Sequence, residues 1–178
     1  MKKCLYVGSF NPPTNAHVEI ANYLLKQKII DYLYFLPVNS SKTNLVSLDN
    51  RINMLNLIKN KQEEVLNILD YQEKGLFNYD VLTKINLNIT HLVMGSDLFL
   101  NFNTFANYLD ILNNYILIII KRDNFDLNNY LKNNYSNYLD RFIIVEKQFK
   151  GSSTASRKSF KNIPKEVLVY IKNNNLYN

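Results

Sequence analysis

A single cysteine, Cys4, stands in the 178 residues, which rules out an internal disulfide and a cysteine-based metal cluster. Cys4 falls where a first strand is expected and reads as a small buried hydrophobe. Long apolar runs are missing too. Hydrophobic residues make up 47% of the chain, but in short broken stretches that never reach the ~18 to 20 residues of a membrane span. The apolar stretch after Lys2 and Lys3 is shorter than the ~7 to 15 residues of a signal-peptide core. A soluble, cytoplasmic protein is expected. Acidic residues are the scarcer charge, 15 against 21 basic, for a formal charge of +6. The lysines are scattered (Lys26 and Lys28, Lys59 and Lys61, Lys158 and Lys161) and form no block. This pattern suits a solvated surface whose positive field draws in small polyanions better than it suits a nucleic-acid-binding face. There is no internal repeat.

What is present is an alternation. Runs rich in Ile, Val, Leu and Tyr take turns with stretches of helical period, the pattern of parallel strands joined by crossover helices. Strands are expected near Cys4 to Val7, Tyr32 to Pro37, Val65 to Leu69, His91 to Met94, Tyr115 to Ile120 and Phe142 to Val145. Val18, Ala21, Leu24 and Leu25 make an apolar stripe on a first helix from about Ala16 to Gln27. A second helix fits Leu48 to Ile58, and Pro164 suits the first turn of a last one through Ile171. The Asn- and Tyr-rich stretch Asn124 to Tyr138 reads as a loop or short peripheral helix. The fold class is therefore α/β, a Rossmann-like doubly wound parallel sheet, with residues 1–178 forming a single domain.

The first strand runs into Gly8-Ser9-Phe10-Asn11-Pro12-Pro13-Thr14-Asn15-Ala16-His17, and a helix follows. In doubly wound folds such a loop lies at the carboxyl edge of the strands, where a helix N-terminus offers N–H groups and positive dipole to phosphate. Gly8 lets backbone approach a ligand closely, and Pro12 and Pro13 stiffen the loop. Thr14 and His17, three apart, are placed to face one side and reach the same phosphate. The plain alternative is an N-cap and a helix-surface histidine. Near the other end, Gly151-Ser152-Ser153-Thr154-Ala155-Ser156-Arg157 sets hydroxyls and N–H groups before an arginine, a second anion cradle or simply a capped serine-rich loop.

Together these segments resemble the nucleotidyltransferase superfamily, with its G-[TS]-F-[DN]-P, [HT]-x-G-H and I-S-S-T-x-I-R elements. Val7 and Ala16 stand where glycine is usual, and Gly151 and Ser156 replace apolar residues. The stretch Leu92-Val93-Met94-Gly95-Ser96-Asp97-Leu98 with Phe102, Thr104 and Phe105 is similar to a segment of the bacterial nicotinate mononucleotide adenylyltransferases. Phe105 takes the place of their tryptophan. Pro37 to Lys42, Arg51 with Met54 and Leu55, Leu76 to Leu82, Arg122 after a buried strand, and the tail from Pro164 to Tyr177 extend the resemblance to nearly the whole chain.

The resemblance implies adenylyl transfer from ATP to a pyridine mononucleotide, releasing pyrophosphate, with Mg²⁺ accompanying ATP and no protein cage for the metal. It implies catalytic roles for His17, Thr14 and Arg157. ATP would contact Gly8, Ser9, Phe10, His17, Gly95, Asp97, Ser152, Ser153, Thr154 and Arg157. The mononucleotide would contact Asn11, Lys42, Phe77, Asn78, Phe105 and Arg122. Phe77 and Asn78 replace tyrosine and threonine around the pyridine, which leaves nicotinate and nicotinamide both open as the acceptor base. Two alternatives are another adenylyl- or cytidylyltransferase of the superfamily, such as the phosphopantetheine enzyme, and a non-catalytic nucleotide- or RNA-binding domain.

Overall fold

The computed structural model describes residues 1–39, 45–122, 125–151 and 153–177. Six parallel strands form one sheet in the order β3-β2-β1-β4-β5-β6. They are β1 (Lys3–Gly8), β2 (Tyr32–Pro37), β3 (Glu63–Val65), β4 (His91–Gly95), β5 (Ile116–Ile120) and β6 (Phe142–Val145). The helices are α1 (Asn15–Lys26), α2 (Leu48–Asn56), α3 (Tyr79–Lys84), α4 (Ser96–Phe99), α5 (Tyr108–Asn114), α6 (Leu127–Asn134), α7 (Ser153–Ser159) and α8 (Lys165–Asn173). None of the described helices is long and apolar enough to cross a membrane.

Alternation along the strands divides the interior into two cores. Leu5, Leu36, Leu92, Met94, Leu117 and Ile119 point to one face, where they meet residues of α3, α5 and α6. Cys4, Tyr6, Leu33, Phe35, Val93, Ile118 and Ile120 point to the other, where Ile20, Ala21 and Leu24 of α1 cover them. A sheet buried on both faces requires apolar residues at every position, which is why its strands read as continuous hydrophobic runs. Cys4 is fully buried and burial pushes its thiol pKa up, so it acts as a small core residue.

The third strand lies earlier than Val65 to Leu69. Ile68–Asp70 is a 3-10 turn, and the strand itself begins at Glu63, which pairs with Leu33. Hydropathy misses it because Glu63, although buried, has its carboxylate met by Asn60, from the backbone N–H at 3.0 Å and from Nδ2 at 2.6 Å. Pro164 is the N-cap of α8 and sits just before its first turn. From residue 125 to 138 the chain contains α6, capped by Asp126 accepting from Asn129 N–H, and then enters a 3-10 turn.

Helix α8 packs on α2 through Met54, Ile163, Val167 and Ile171, with Tyr170 donating to Asn50 Oδ1 at 2.8 Å. The end of the chain is thereby drawn back beneath the β1–α1 loop, where Tyr177 donates to Asn11 Oδ1 at 2.7 Å. Leu24 is fully buried on α1 against the second core. Leu24→Ala should lower the unfolding free energy by about 2 to 5 kcal/mol. Urea denaturation measures this, and a loss well below that range would show that the cavity collapses.

Candidate active site

Strand order reverses at β1, whose neighbours are β2 on one side and β4 on the other. The connections leaving the ends of β1 and β4 diverge there and open a crevice, the usual ligand position in open α/β sheets. A cleft of roughly 680 Å³ occupies it, lined by Gly8, Ser9, Phe10 and His17 from the first loop and by Gly95, Asp97 and Arg122 from the β4 and β5 ends. Ser153, Thr154 and Arg157 of α7 form one flank, and Phe77 and Phe105 form the other.

His17 is held from behind. The backbone N–H of Thr14 donates to its Nδ1 at 2.9 Å, and the Thr14 hydroxyl lies 2.9 Å from the same nitrogen. A backbone N–H can only donate, so Nδ1 is the acceptor and the ring proton of neutral His17 sits on Nε2. The imidazole rests edge-on against Phe10, centroids 5.0 Å apart, with Tyr6 at 6.0 Å. Burial and then the nearby Arg122 charge push its pKa down to about 3, so the imidazole is neutral. Thr14 is fully buried and does not line the cleft. It orients His17 and caps α1, so the two residues do not present side chains to a common ligand.

Phe10 adopts a left-handed backbone, φ 45°, and packs its ring under Gly8, where an added Cβ would lie 3.1 Å from Phe10 Cζ. The glycine therefore leaves room for the ring packed against it. At Gly95 the crowding is polar. A Cβ there would collide with Asp97 Oδ1 and lie 3.0 Å from Arg122 Nε. Asp97 and Arg122 form an ion pair across the glycine at 3.6 Å, both partly exposed. Buried Ser96 accepts from the Arg122 backbone N–H at 3.2 Å, which fixes the β5 end beside α4. Arg122 thus sits beside Asp97 in the cleft wall.

Helix α7 docks on the first loop. Ser153 Oγ donates to the Pro12 carbonyl at 2.9 Å, and Arg157 donates to the Asn11 carbonyl and to Thr154 Oγ1. Arg157 stays half-buried in the cleft wall. Asn11 is buried outside the cleft lining, its Oδ1 accepting from Val46 N–H and from Tyr177. Asn78 is likewise a structural cap, accepting from Val81 N–H at the start of α3. The assignments to Lys42 and Ser152 fall outside the described residues.

Sequence reasoning passed over several groups. Tyr6, Val38, Asn39, Leu45 and Leu98 also line the main cleft. A second, smaller cleft of roughly 230 Å³ adjoins it between α1 and the β5 and β6 ends, lined by Ala16, Ile20, Ile120, Lys121, Gln148 and Phe149. Arg122 and Gly151 line both clefts. Ile120 and Phe149 carried no signal because apolar residues at strand ends look like core in a sequence.

Residues 5–159 match the family described as Cytidylyltransferase-like. Among curated proteins, the chain is 31% identical to the probable nicotinate-nucleotide adenylyltransferase of Fusobacterium nucleatum subsp. nucleatum, over 91% of this chain and 89% of that one. It is 28% identical to the protein of the same name from Endomicrobium trichonymphae, over 99% and 98%. Among solved structures it is similar to Plasmodium falciparum nicotinic acid mononucleotide adenylyltransferase complexed with NaAD, at 21% identity and a TM-score of 0.74, covering 99% of this chain and 98% of that one. That likeness extends the agreement to the fold.

Burial also lowers the pKa of His91. With both histidines below their ordinary 6.5 when folded, the unfolded chain binds protons that the folded chain refuses as pH falls from 6.5 toward 3, so stability declines across that window. The fall in Tm between pH 7 and pH 5 should be smaller in His17→Gln than in the natural protein. Equal falls would show that His17 is not held neutral.

Proposed function

The chain belongs to the cytidylyltransferase-like family, on its nicotinate-nucleotide adenylyltransferase branch, and from its cleft we infer that it transfers the AMP part of ATP to nicotinate mononucleotide. The products are nicotinate adenine dinucleotide and pyrophosphate, a step in NAD biosynthesis. The observation that carries this reading is the convergence of His17, its ring proton on Nε2, with Arg157, Arg122, Gly8 and Ser9 on one cleft where β1 and β4 diverge.

The mononucleotide phosphate oxygen attacks the α-phosphorus of ATP as the bond to the β-phosphate bridging oxygen breaks. The attacking phosphate is already an anion, so the site needs neither a side-chain nucleophile nor a general base. Rate comes from holding two polyanions in line and stabilising charge on the phosphates. We assign His17 Nε2–H to an α-phosphate oxygen. The approach of the triphosphate raises the His17 pKa, because an anion favours the charged imidazolium. Arg157, Ser153 and Thr154 meet the departing pyrophosphate, and the second cleft, with Ile20, Ile120 and Phe149, takes the adenine. Asp97 accepts from ribose hydroxyls once Arg122 turns to phosphate. Phe105 and Phe77 offer flat apolar surface to the pyridine.

Among the described residues no cluster of three His, Cys, Asp or Glu side chains is placed to hold a metal ion. Mg²⁺ would accompany the ATP phosphates, held through their oxygens and water. Bound in that way it neutralises phosphate charge. We take residues 1–178 as one nucleotidyltransferase domain working in the cytoplasm, where ATP is supplied.

Incubation with ATP, Mg²⁺ and a panel of acceptors should release pyrophosphate fastest with nicotinate mononucleotide. Faster turnover of nicotinamide mononucleotide would reverse the base assignment, and turnover of phosphopantetheine alone would remove the whole reading. His17→Ala should lower kcat by about 100-fold or more, in line with loss of a transition-state hydrogen-bond donor. Unchanged kcat would exclude His17 from the chemistry.

A further inference from the structure

Arg51 is the largest fully buried side chain among the described residues. Its guanidinium donates to four oxygens, all uncharged: Val46 C=O from Nε at 3.2 Å, Ser9 C=O at 3.0 Å and Val38 C=O at 2.6 Å from Nη1, and Asn39 Oδ1 from Nη2 at 2.6 Å. No carboxylate appears among these partners. Burying a guanidinium without a counter-ion costs stability, and an apolar side chain of similar volume is often the more stable choice. The guanidinium therefore needs a reason in what it holds.

Its four partners lie on three separate segments. Ser9 is in the β1–α1 loop, Val38 and Asn39 follow β2, and Val46 precedes α2. Asn39 passes the restraint on, since its N–H donates to Gly75 C=O at 2.6 Å and its Nδ2 to Lys74 C=O at 3.0 Å. Gly75 has a left-handed φ of +65°, and a Cβ on it would stand 2.5 Å from Asn39 Nδ2. Immediately after Gly75 come Leu76 and Phe77, which line the cleft together with Val38, Asn39 and Leu45. The α7 flank is tied in differently, through the Asn11 and Pro12 carbonyls.

We propose that Arg51 is a positioning residue for the acceptor substrate, fixing through Val38, Asn39 and Gly75 the cleft wall that carries Leu76 and Phe77. This rests on the adenylyltransferase reading above. It goes beyond it by assigning acceptor affinity to a residue that substrate does not touch. Three of the four bonds hold the acceptor wall and one reaches the phosphate loop, so disruption acts mainly on the acceptor and little on ATP. Lysine keeps the charge and loses the planar fork, so it does not serve four oxygens spread around one plane.

Steady-state kinetics with both substrates varied provide the test. Arg51→Lys should raise KM for nicotinate mononucleotide by about 10-fold, the effect of losing one or two charge-assisted hydrogen bonds, with KM for ATP within about twofold. Gly75→Ala approaches the same relay from its far end and lies outside the cleft lining. It should raise the acceptor KM in the same selective way, and the double variant should cost less than the two effects multiplied. A fall in kcat with both KM values unchanged, or an equal rise in the two KM values, would overturn the proposal by reducing Arg51 to general stability. If Arg51→Lys does not fold, Gly75→Ala decides alone: a selective rise in acceptor KM supports the relay, and none removes it. A natural protein inactive with every pyridine mononucleotide would overturn the parent reading as well.

Discussion

The backbone between β1 and α1 is the fixed frame on which the cleft is built. A loop in that position has no ladder partners, yet its polar groups need partners when buried. In this protein distant elements supply most of them. The Ser9 carbonyl takes Arg51 of α2, the Asn11 carbonyl takes Arg157 and the Pro12 carbonyl takes Ser153, both of α7. Asn15 N–H goes to the Asn162 carbonyl ahead of α8, and Thr14 N–H goes to His17. One segment thereby fixes the imidazole, the α7 arginine and the chain's final helix relative to one another. Tyr177, near the C-terminus, completes the frame through Asn11.

This arrangement explains why the cleft is electropositive without a cluster of exposed lysines. Arg122 and Arg157 face it, Arg51 sits buried behind it, and Asp97 is the one carboxylate among the described lining residues. His17 contributes an N–H dipole with no charge of its own, because burial and Arg122 disfavour a second cation. A cleft of that polarity draws polyanions along its field, while the scattered surface lysines add only the background. Arg157 and Arg51 are anchored through backbone carbonyls, so the positions of these two cations are set by the fold.

The departures from the superfamily pattern look mild in three dimensions. Ala16 is buried and lines both clefts, where one methyl group narrows the passage slightly. Val7 lies half-buried at the cleft's edge. Phe105, in the place of a tryptophan, packs on Phe102 with centroids 5.8 Å apart, so its ring is already oriented by the core.

Much of this was legible in the chain itself. Strand and helix periods, the buried sheet, and the Gly8 to His17 and Gly151 to Arg157 segments follow from local patterns, because alternation and cap chemistry depend on near neighbours. The short strand at Glu63 did not, since its carboxylate is satisfied by Asn60 and hydropathy cannot register that bond. Hydrogen bonds within the folded chain also decided the roles within each motif. Thr14 and Asn78 are engaged locally, by His17 and Val81, and Asn11 is engaged by distant Tyr177. Arg51, with Met54 and Leu55, carried a resemblance in the sequence but no role, and only packing revealed a buried guanidinium joining segments 42 positions apart in the chain. The sequence by itself determined which groups are available for phosphate chemistry. The folded chain decided which of them face the cleft, because a hydrogen bond between distant segments is invisible until topology brings its donor to its acceptor.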